Sequence, residues 1–316
     1  MAEAGTGEAG KPSLLPGGHP LPQHASRKPA AGPTRVDAEK LSPPFSTHIA
    51  GGLLQSPLHG WCTAVPKVVI LAGGYGKRLR PLTLEKPKPL VEVAGRPILE
   101  WQILHFKSLG YRDFVLLVGY KWEKIVERLG SGRRLGVRIA YVVEDEPLGT
   151  GGAIKNAEHL LRGEEYFIVT NGDIITNLDA RKLVERLEGE ILAAMALVPL
   201  RSPYGIVEVD EKGLVRNFVE KPTLDYWINA GVYAFRPEVL DWLPERGDIE
   251  RTGFPQLAEA RRLAGLGFQD VYWKSIDTVK DLEEASHQLA EMEWARRLEE
   301  LASPEAPSAA PGEATA

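Results

Sequence analysis

Cysteine is nearly absent from this chain: there is one, Cys62, among 316 residues. That excludes a disulfide framework and a thiolate zinc site, and it makes a reducing, cytoplasmic compartment the default expectation. Long apolar runs are missing too. Residues 1–64 hold no apolar run long enough for a signal-peptide core, and no stretch of the chain is long enough for a membrane span. Nor is there a surplus of positive charge: 38 Lys and Arg stand against 43 Asp and Glu, a formal net charge of −5. A chain balanced in this way is not expected to bind nucleic acid generally.

Glycine and proline are plentiful but unevenly spread. Residues 1–64 hold nine of each, with few large apolar side chains. That reaches the roughly 25–30% level at which low-complexity disorder is the better reading. Two accounts of this arm stand: a stretch upstream of an alternative start at Val65, or a flexible docking arm. The intact mass of the native protein separates them. Residues 303–316, SPEAPSAAPGEATA, read as a second disordered tail. Between them, residues 65–302 are enough for one large α/β domain with a well-buried core.

That domain is organised around residues 67–97, KVVILAGGYGKRLRPLTLEKPKPLVEVAGRP. A short β-branched run, 68–71, predicts a buried strand. A glycine turn follows, Gly73-Gly74-Tyr75-Gly76, and then the cations Lys77, Arg78 and Arg80. Backbone N–H groups in such a turn can approach a phosphate closely. A dinucleotide fingerprint would need a third glycine where Leu79 stands, with a helix starting at once. Pro81, Pro87 and Pro89 forbid a regular helix there. An ATP-type phosphate loop would need glycine at Leu71 and Ser or Thr at Arg78. The expectation that remains is a long extended loop carrying cations over a phosphate chain.

LAGGYGKRLRPLT followed by KPKPLVEV resembles the signature of the sugar nucleotidyltransferases, the nucleoside-diphosphate-sugar pyrophosphorylases. Members join a nucleoside triphosphate to a sugar 1-phosphate and release pyrophosphate. The resemblance covers about residues 66–290 and implies Leu71, Ala72, Gly73, Gly74 and Gly76 on the nucleotide, with Arg78 and Lys88 in catalysis. No room is left for the C-terminal β-helix that some relatives carry, so regulation by such a domain is not expected.

The first half alternates strand and helix. Strands are predicted at 114–118, 137–143 and 167–170, and helices at 98–109 and 120–129. The fold class expected is α/β: a Rossmann-like, doubly wound, mostly parallel sheet with helices on both faces and a smaller β-rich sugar-binding part. Residues 148–152 read as a flexible turn opening a helix that runs to residue 161. Free N–H groups at that helix start suit an anion. The matching family segment lies along the nucleoside, which implies that role for Gly149, Thr150 and Gly151. Glu144 can accept from the N–H groups of a base such as guanine, or stand idle as a loop carboxylate. Asp173 ends the fourth strand in Asn171-Gly172-Asp173, where an open α/β sheet binds its ligands, and is placed to hold Mg²⁺. Asp179 is expected only to start the next helix.

In the second half, strands are expected at 191–198 and 228–235, with a hairpin over 204–219. A helix is expected over 252–263, a strand over 268–273 and a charged helix to about residue 300. Glu220 can accept from sugar hydroxyls and Lys221 can hold a phosphate, with Asn229 and the Gly205 backbone completing the shell. The resemblance assigns these segments to the sugar 1-phosphate. The chain departs from it at one point. Many members have Asp two residues after the Trp that corresponds to Trp273, and that Asp is a second magnesium ligand. Here Ser275 holds the position and Asp277 stands two further on. Either Asp277 reaches the metal from a shifted turn, or substrate phosphates and water complete the shell, or activity is reduced. The purely structural role for Asp277 is a cap or turn residue at the next helix.

PLGTGGAIKNAE and INAGVYAF resemble guanylyltransferases acting on mannose- or heptose-type phosphates, so GTP is the favoured nucleotide. Thymidylyl-, uridylyl- and cytidylyltransferases share much of the pattern, and a non-catalytic nucleotide-sugar-binding relative is the rival of another class. Whether the chain forms a homo-oligomer is left open.

Overall fold

The computed structural model describes residues 66–302. The expectations for residues 1–64 and 303–316 lie outside the described residues. The strand expected at 68–71 is β1, Val68–Ala72, and it sits near the middle of a seven-stranded sheet. Its side chains alternate between two cores, as the period of a strand requires. Val68, Ile70 and Ala72 enter the larger core, and Val69 enters the other with Val115 and Leu117. A strand covered on both faces has no use for a polar alternation, which is why VVILA reads as an unbroken apolar run.

From β1 the chain passes through short pieces: a 3₁₀ turn at Lys77–Leu79, α1 at Leu82–Glu85 and a second 3₁₀ turn at Lys88–Leu90. The expected extended loop is thus a chain of single helical turns, because the prolines interrupt a helix without preventing one turn at a time. The small ribbon of β2 (Glu92–Val93) and β3 (Arg96–Pro97) leads into α2, Ile98–Ser108. β4 (Asp113–Val118), α3 (Trp122–Leu129) and β5 (Arg138–Val143) complete the first wing. α4 (Gly149–Asn156) and α5 (Glu158–Leu161) are separated at Ala157, so the single helix expected here is two, and α4 starts at Gly149 itself. β6, Phe167–Asn171, then returns to the other side of β1.

β7 (Ile174–Thr176) and the one-turn α6 (Arg181–Val184) precede β8, Ala193–Arg201. β9 (Ile206–Val209) and β10 (Val215–Val219) form the expected antiparallel hairpin, exposed throughout. β11, Thr223–Phe235, is longer than expected, and α7, Gly253–Glu259, is shorter. The strand expected at 268–273 is displaced: β12 is Leu263–Gly267, and β13 covers only Trp273–Ser275. Glycines hide β12 from a propensity reading, yet the packing demands them. A Cβ at Gly265 would lie 2.8 Å from Leu197, and one at Gly267 would lie 2.8 Å from Trp227. α8 (Val279–Glu291) and α9 (Glu293–Ala302) replace the one charged helix, and the break at Met292 keeps Leu289 and Leu298 on the core.

The sheet order is β12-β8-β11-β6-β1-β4-β5, and β11 alone runs against the rest. The chain winds outward through β4 and β5, then crosses back to β6. Ligands of open α/β sheets sit beyond the carboxyl ends of the strands at such a reversal.

Candidate active site

A cavity of about 280 Å³ opens at that reversal. Its floor is the end of β1 and the turn after β6. Leu71, Ala72, Gly73, Gly74, Lys88, Glu144, Gly149, Thr150 and Asp173 all line it, so the structure gathers nine of the residues singled out from sequence. Tyr75, Pro147 and Asp248 join them.

Close backbone approach sets the geometry. A Cβ at Gly73 would meet Glu144 Oε1 at 3.1 Å, and Gly73 accepts from the Tyr120 amide, which ties the loop to the end of β4. Gly74 faces open space. Gly76 does not line the cavity. It has φ of +59°, and a Cβ there would lie 2.8 Å from the Lys88 stem, so it lets the loop fold down onto Lys88. Gly172 is tighter still: a Cβ would lie 2.3 Å from the Leu71 carbonyl oxygen, to which the Gly172 amide donates at 2.9 Å. The turn carrying Asp173 is thereby fastened to the end of β1.

At the mouth of the cavity an ion cluster joins three separate segments. Lys88 Nζ donates to Asp173 Oδ2 at 2.7 Å and to Asp277 Oδ1 at 2.8 Å. Arg78 Nη2 donates to the same Asp277 oxygen at 2.8 Å. Ser275 Oγ donates to Asp277 Oδ2 at 2.9 Å. Burial pushes the Asp277 carboxyl up, but Lys88, Ser275 and Arg78 together outweigh it and hold it below the usual range. The alternative of a helix cap is filled by a neighbour. Thr278 is the N-cap of α8, in a capping box with Asp281, which leaves the Asp277 side chain free to face Lys88. Asp277 arrives there because β13 pairs with β7, Ser275 opposite Ile174, and the Ile276 amide donates to the Asp173 carbonyl at 2.9 Å.

Glu144 accepts from the Leu148 amide at 3.1 Å, and burial raises its carboxyl despite that bond. The start of α4 is placed differently from expectation. The amides of Gly151 and Gly152 donate to the Gly247 carbonyl at 2.9 and 3.1 Å, and the Thr150 hydroxyl donates to Glu250 and accepts from the Ile249 amide. Gly151 is therefore occupied in docking residues 247–250, and that loop supplies Asp248 to the cavity. Asp179 accepts from the Arg181 amide at 3.0 Å, the structural task expected of it.

The sugar-phosphate set lies outside this cavity. Glu220 and Lys221 are exposed and 4.0 Å apart, and Gly205 packs closely under Phe218 and Glu220. Asn229 is turned inward: its amide donates to the Tyr233 hydroxyl at 2.7 Å, and its carbonyl accepts from the Gly231 amide at 2.8 Å. It steadies the irregularity in β11 that brings Gly231 against Asn171 and Ile174.

Asp248 escaped sequence reasoning because only the fold brings its Gly247-Asp248 turn against the start of α4 and so into the cavity. Gln102 escaped as well, although a polar residue inside WQILHF on a buried helix was a signal.

The donor chemistry here suits a small hard cation: two carboxylates meet across one ammonium, beside a glycine loop open to phosphate. Among the described residues no cluster of three or more metal-type ligands occurs, and no helix is long and apolar enough to cross a membrane.

Comparison with known proteins agrees with this geometry. The catalytic subunit beta of mannose-1-phosphate guanylyltransferase from Drosophila melanogaster is 38% identical over 225 residues, which is 68% of this chain and 60% of that protein. The mannose-1-phosphate guanyltransferase of Pichia angusta is 40% identical over 225 residues, 68% of this chain and 62% of that one. The chain thus spans about 60% of the length of these curated relatives. Among solved structures, HddC from Yersinia pseudotuberculosis complexed with GMP-PN superposes with a TM-score of 0.54 at 28% identity, covering 71% of this chain and 99% of that one. With the nucleotidyl transferase family model matching residues 67–292, the chain belongs to the nucleotidyl transferase family.

Proposed function

We propose that this chain is a sugar-1-phosphate nucleotidyltransferase that makes an NDP-sugar and pyrophosphate, with GTP and a mannose-type sugar 1-phosphate as substrates. The observation that carries the reading is Lys88, held between Asp173 and Asp277 at the mouth of a cavity floored by glycines. A phosphate oxygen of the sugar 1-phosphate attacks the α-phosphorus of the triphosphate. The bond from that phosphorus to the bridging oxygen breaks, and pyrophosphate leaves. The nucleophile is already ionised at neutral pH, so no general base is needed, and catalysis is positioning and charge neutralisation.

In this reading the Gly73 and Gly74 backbone and Arg78 hold the leaving phosphates. Lys88 leaves its carboxylates to draw in the sugar phosphate. Asp173 and Asp277 hold Mg²⁺, which supplies charge neutralisation at the phosphates when bound. Glu220 and Lys221 receive the sugar phosphate from the exposed second part. Glu144 accepts from the N–H edge of guanine, the one common base with two adjacent N–H donors there. The relatives named guanylyltransferases and the neighbour holding GMP-PN support the choice of GTP. The reading includes a cytoplasmic setting, in keeping with a single cysteine.

The test is pyrophosphate release by the full chain with Mg²⁺, crossing five nucleoside triphosphates with mannose, glucose, N-acetylglucosamine and heptose 1-phosphates. Release requiring both substrates, fastest with GTP, is expected. Release with dTTP, UTP or CTP in preference to GTP overturns the guanylyl assignment. Silence across the grid, with a nucleotide sugar still bound, replaces the enzyme with a binding protein.

A further inference from the structure

α2 is buried on every side over most of its length, and Gln102 is one of the three polar residues buried in it, with Glu100 and His105, at only 4% exposed. Its amide nitrogen donates to the Asn171 carbonyl at 2.7 Å and to the Ile174 carbonyl at 2.9 Å. An amide nitrogen has two N–H donors, and both are used. The two carbonyls flank Gly172-Asp173, so one side chain bridges the base of the turn that presents the Asp173 carboxylate. We propose that Gln102 is a positioning residue for Asp173, and through it for Asp277.

The turn has three independent fastenings. The Gly172 amide holds it to β1, and the Ile276 amide holds the Asp173 carbonyl to the segment that carries Asp277. Gln102 supplies the third from beneath, and it alone spans both ends of the turn. The first two each hold one group of the turn, the Gly172 amide and the Asp173 carbonyl, and neither ties its two ends together. With the carbonyls of residues 171 and 174 held by one side chain, a change in the span of the turn would break a buried hydrogen bond, and the carboxylate keeps its aim at Lys88.

The chemistry selects glutamine. Glutamate of the same length brings acceptors to face two carbonyls. Methionine fills the volume but donates nothing. Asparagine keeps both donors on a stem one methylene shorter and cannot reach both carbonyls. A residue behind a group that meets metal and phosphate changes activity or metal affinity by about 10–100-fold when removed.

The inference rests on the reading of Asp173 given under Proposed function, and the test separates the two. Gln102→Met in the full chain is compared with wild type and with Thr176→Val. Thr176, in β7, is also buried, and its hydroxyl donates to the Tyr272 carbonyl at 2.7 Å. Three readings are taken: thermal midpoint, amide hydrogen exchange over residues 171–176, and the Mg²⁺ dependence of pyrophosphate release. Gln102→Met is expected to lose about 10–100-fold in turnover and to need several-fold more Mg²⁺ for half-maximal rate, with faster exchange at residues 172–174 and 276. Thr176→Val is expected to lower the thermal midpoint comparably and to leave the Mg²⁺ dependence unchanged. Should the Met variant not fold, Gln102→Asn is read in its place and carries the same expectations.

Exchange at 172–174 unchanged by the substitution overturns the bracket. Faster exchange with wild-type turnover and Mg²⁺ dependence overturns its role in positioning Asp173. A wild-type chain that releases no pyrophosphate from any substrate pair overturns the enzymatic reading itself and removes the catalytic purpose of the bracket, while the exchange arm still decides whether the bracket exists.

Discussion

Lys88→Met tests the core of the site. The methionine keeps the stem volume in a side chain that is 12% exposed, so packing changes little. What goes is an ammonium 2.7 Å from one carboxylate and 2.8 Å from another. Two effects follow. A well-placed cation on a transferring phosphoryl group is worth about 10²–10³ in turnover, or about 3–4 kcal/mol, by comparison with loss of one oxyanion donor. The remaining carboxylates also face each other without their bridge. The first influence on Asp277 is burial, which raises its carboxyl, and Lys88 is the leading influence against it. Its removal moves the Asp277 carboxyl up, so activity that needs the anion fails at a higher pH as acid is added. Divalent-cation binding moves the other way, because the ammonium no longer competes for the two carboxylates. The assay is pyrophosphate release from pH 5 to 8, with Mn²⁺ binding measured by calorimetry. Turnover lower by at least about 100-fold, an acid limb shifted upward and tighter Mn²⁺ binding are expected together. Turnover within threefold of wild type, or weaker Mn²⁺ binding, refutes the arrangement.

Arg78→Ala removes the second cation on Asp277 and is expected to lose about 10²–10³ in turnover with little change in thermal midpoint, since the side chain is mostly exposed. Gly172→Ala puts a methyl against the Leu71 carbonyl, a backbone atom that cannot rotate aside. It is expected to cost about 1–3 kcal/mol in urea unfolding and to lose activity with it. His105 is fully buried, its Nε2–H donates to the Leu178 carbonyl, and burial lowers its pKa to about 4. Because the unfolded imidazole takes a proton near 6.5 and the folded one does not, the stability this group confers is whole above 6.5 and is lost as pH falls toward 4. The loss reaches about 3 kcal/mol. His105→Gln is expected to flatten that part of the urea-midpoint curve, and an unchanged slope counts against the assignment.

The first wing and the site floor could be read from sequence because local pattern and tertiary demand agree there. VVILA is apolar throughout because β1 is covered on both faces, and Asn171-Gly172-Asp173 follows a strand whose end lies at the cavity. The second half was less legible. β12 carries glycine at 265 and 267 because Leu197 and Trp227 overlie it there, so the packing that makes it a strand removes the propensity that would announce it. The resemblance implies that the segment of Gly151 lies along a nucleoside, and a helix start offers free amides there. A loop about 100 residues further on takes that amide, and no local reading contains the loop. The three cations 77, 78 and 80 could be counted in the sequence, but only the fold shows that Arg78 shares Asp277 with Lys88.

The departure at Ser275 resolves through strand period. Residues two apart on an extended segment point to the same side. Ser275 and Asp277 are hydrogen-bonded side chain to side chain at 2.9 Å, so they do share that side. Moving the carboxylate from 275 to 277 therefore keeps it facing Lys88, and the serine becomes the hydroxyl that orients it. This makes an exchange testable. Asp277→Asn removes the anion while keeping the shape, and is expected to lower turnover by about 10–100-fold and to raise the Mg²⁺ needed for half-maximal rate. Adding Ser275→Asp to that variant returns a carboxylate to the usual family position and is expected to recover at least part of the loss. If Asp277→Asn keeps wild-type turnover, the site works with Asp173 alone. If the double variant recovers nothing, the two positions are not equivalent, and the shift to Asp277 has changed the geometry of the site.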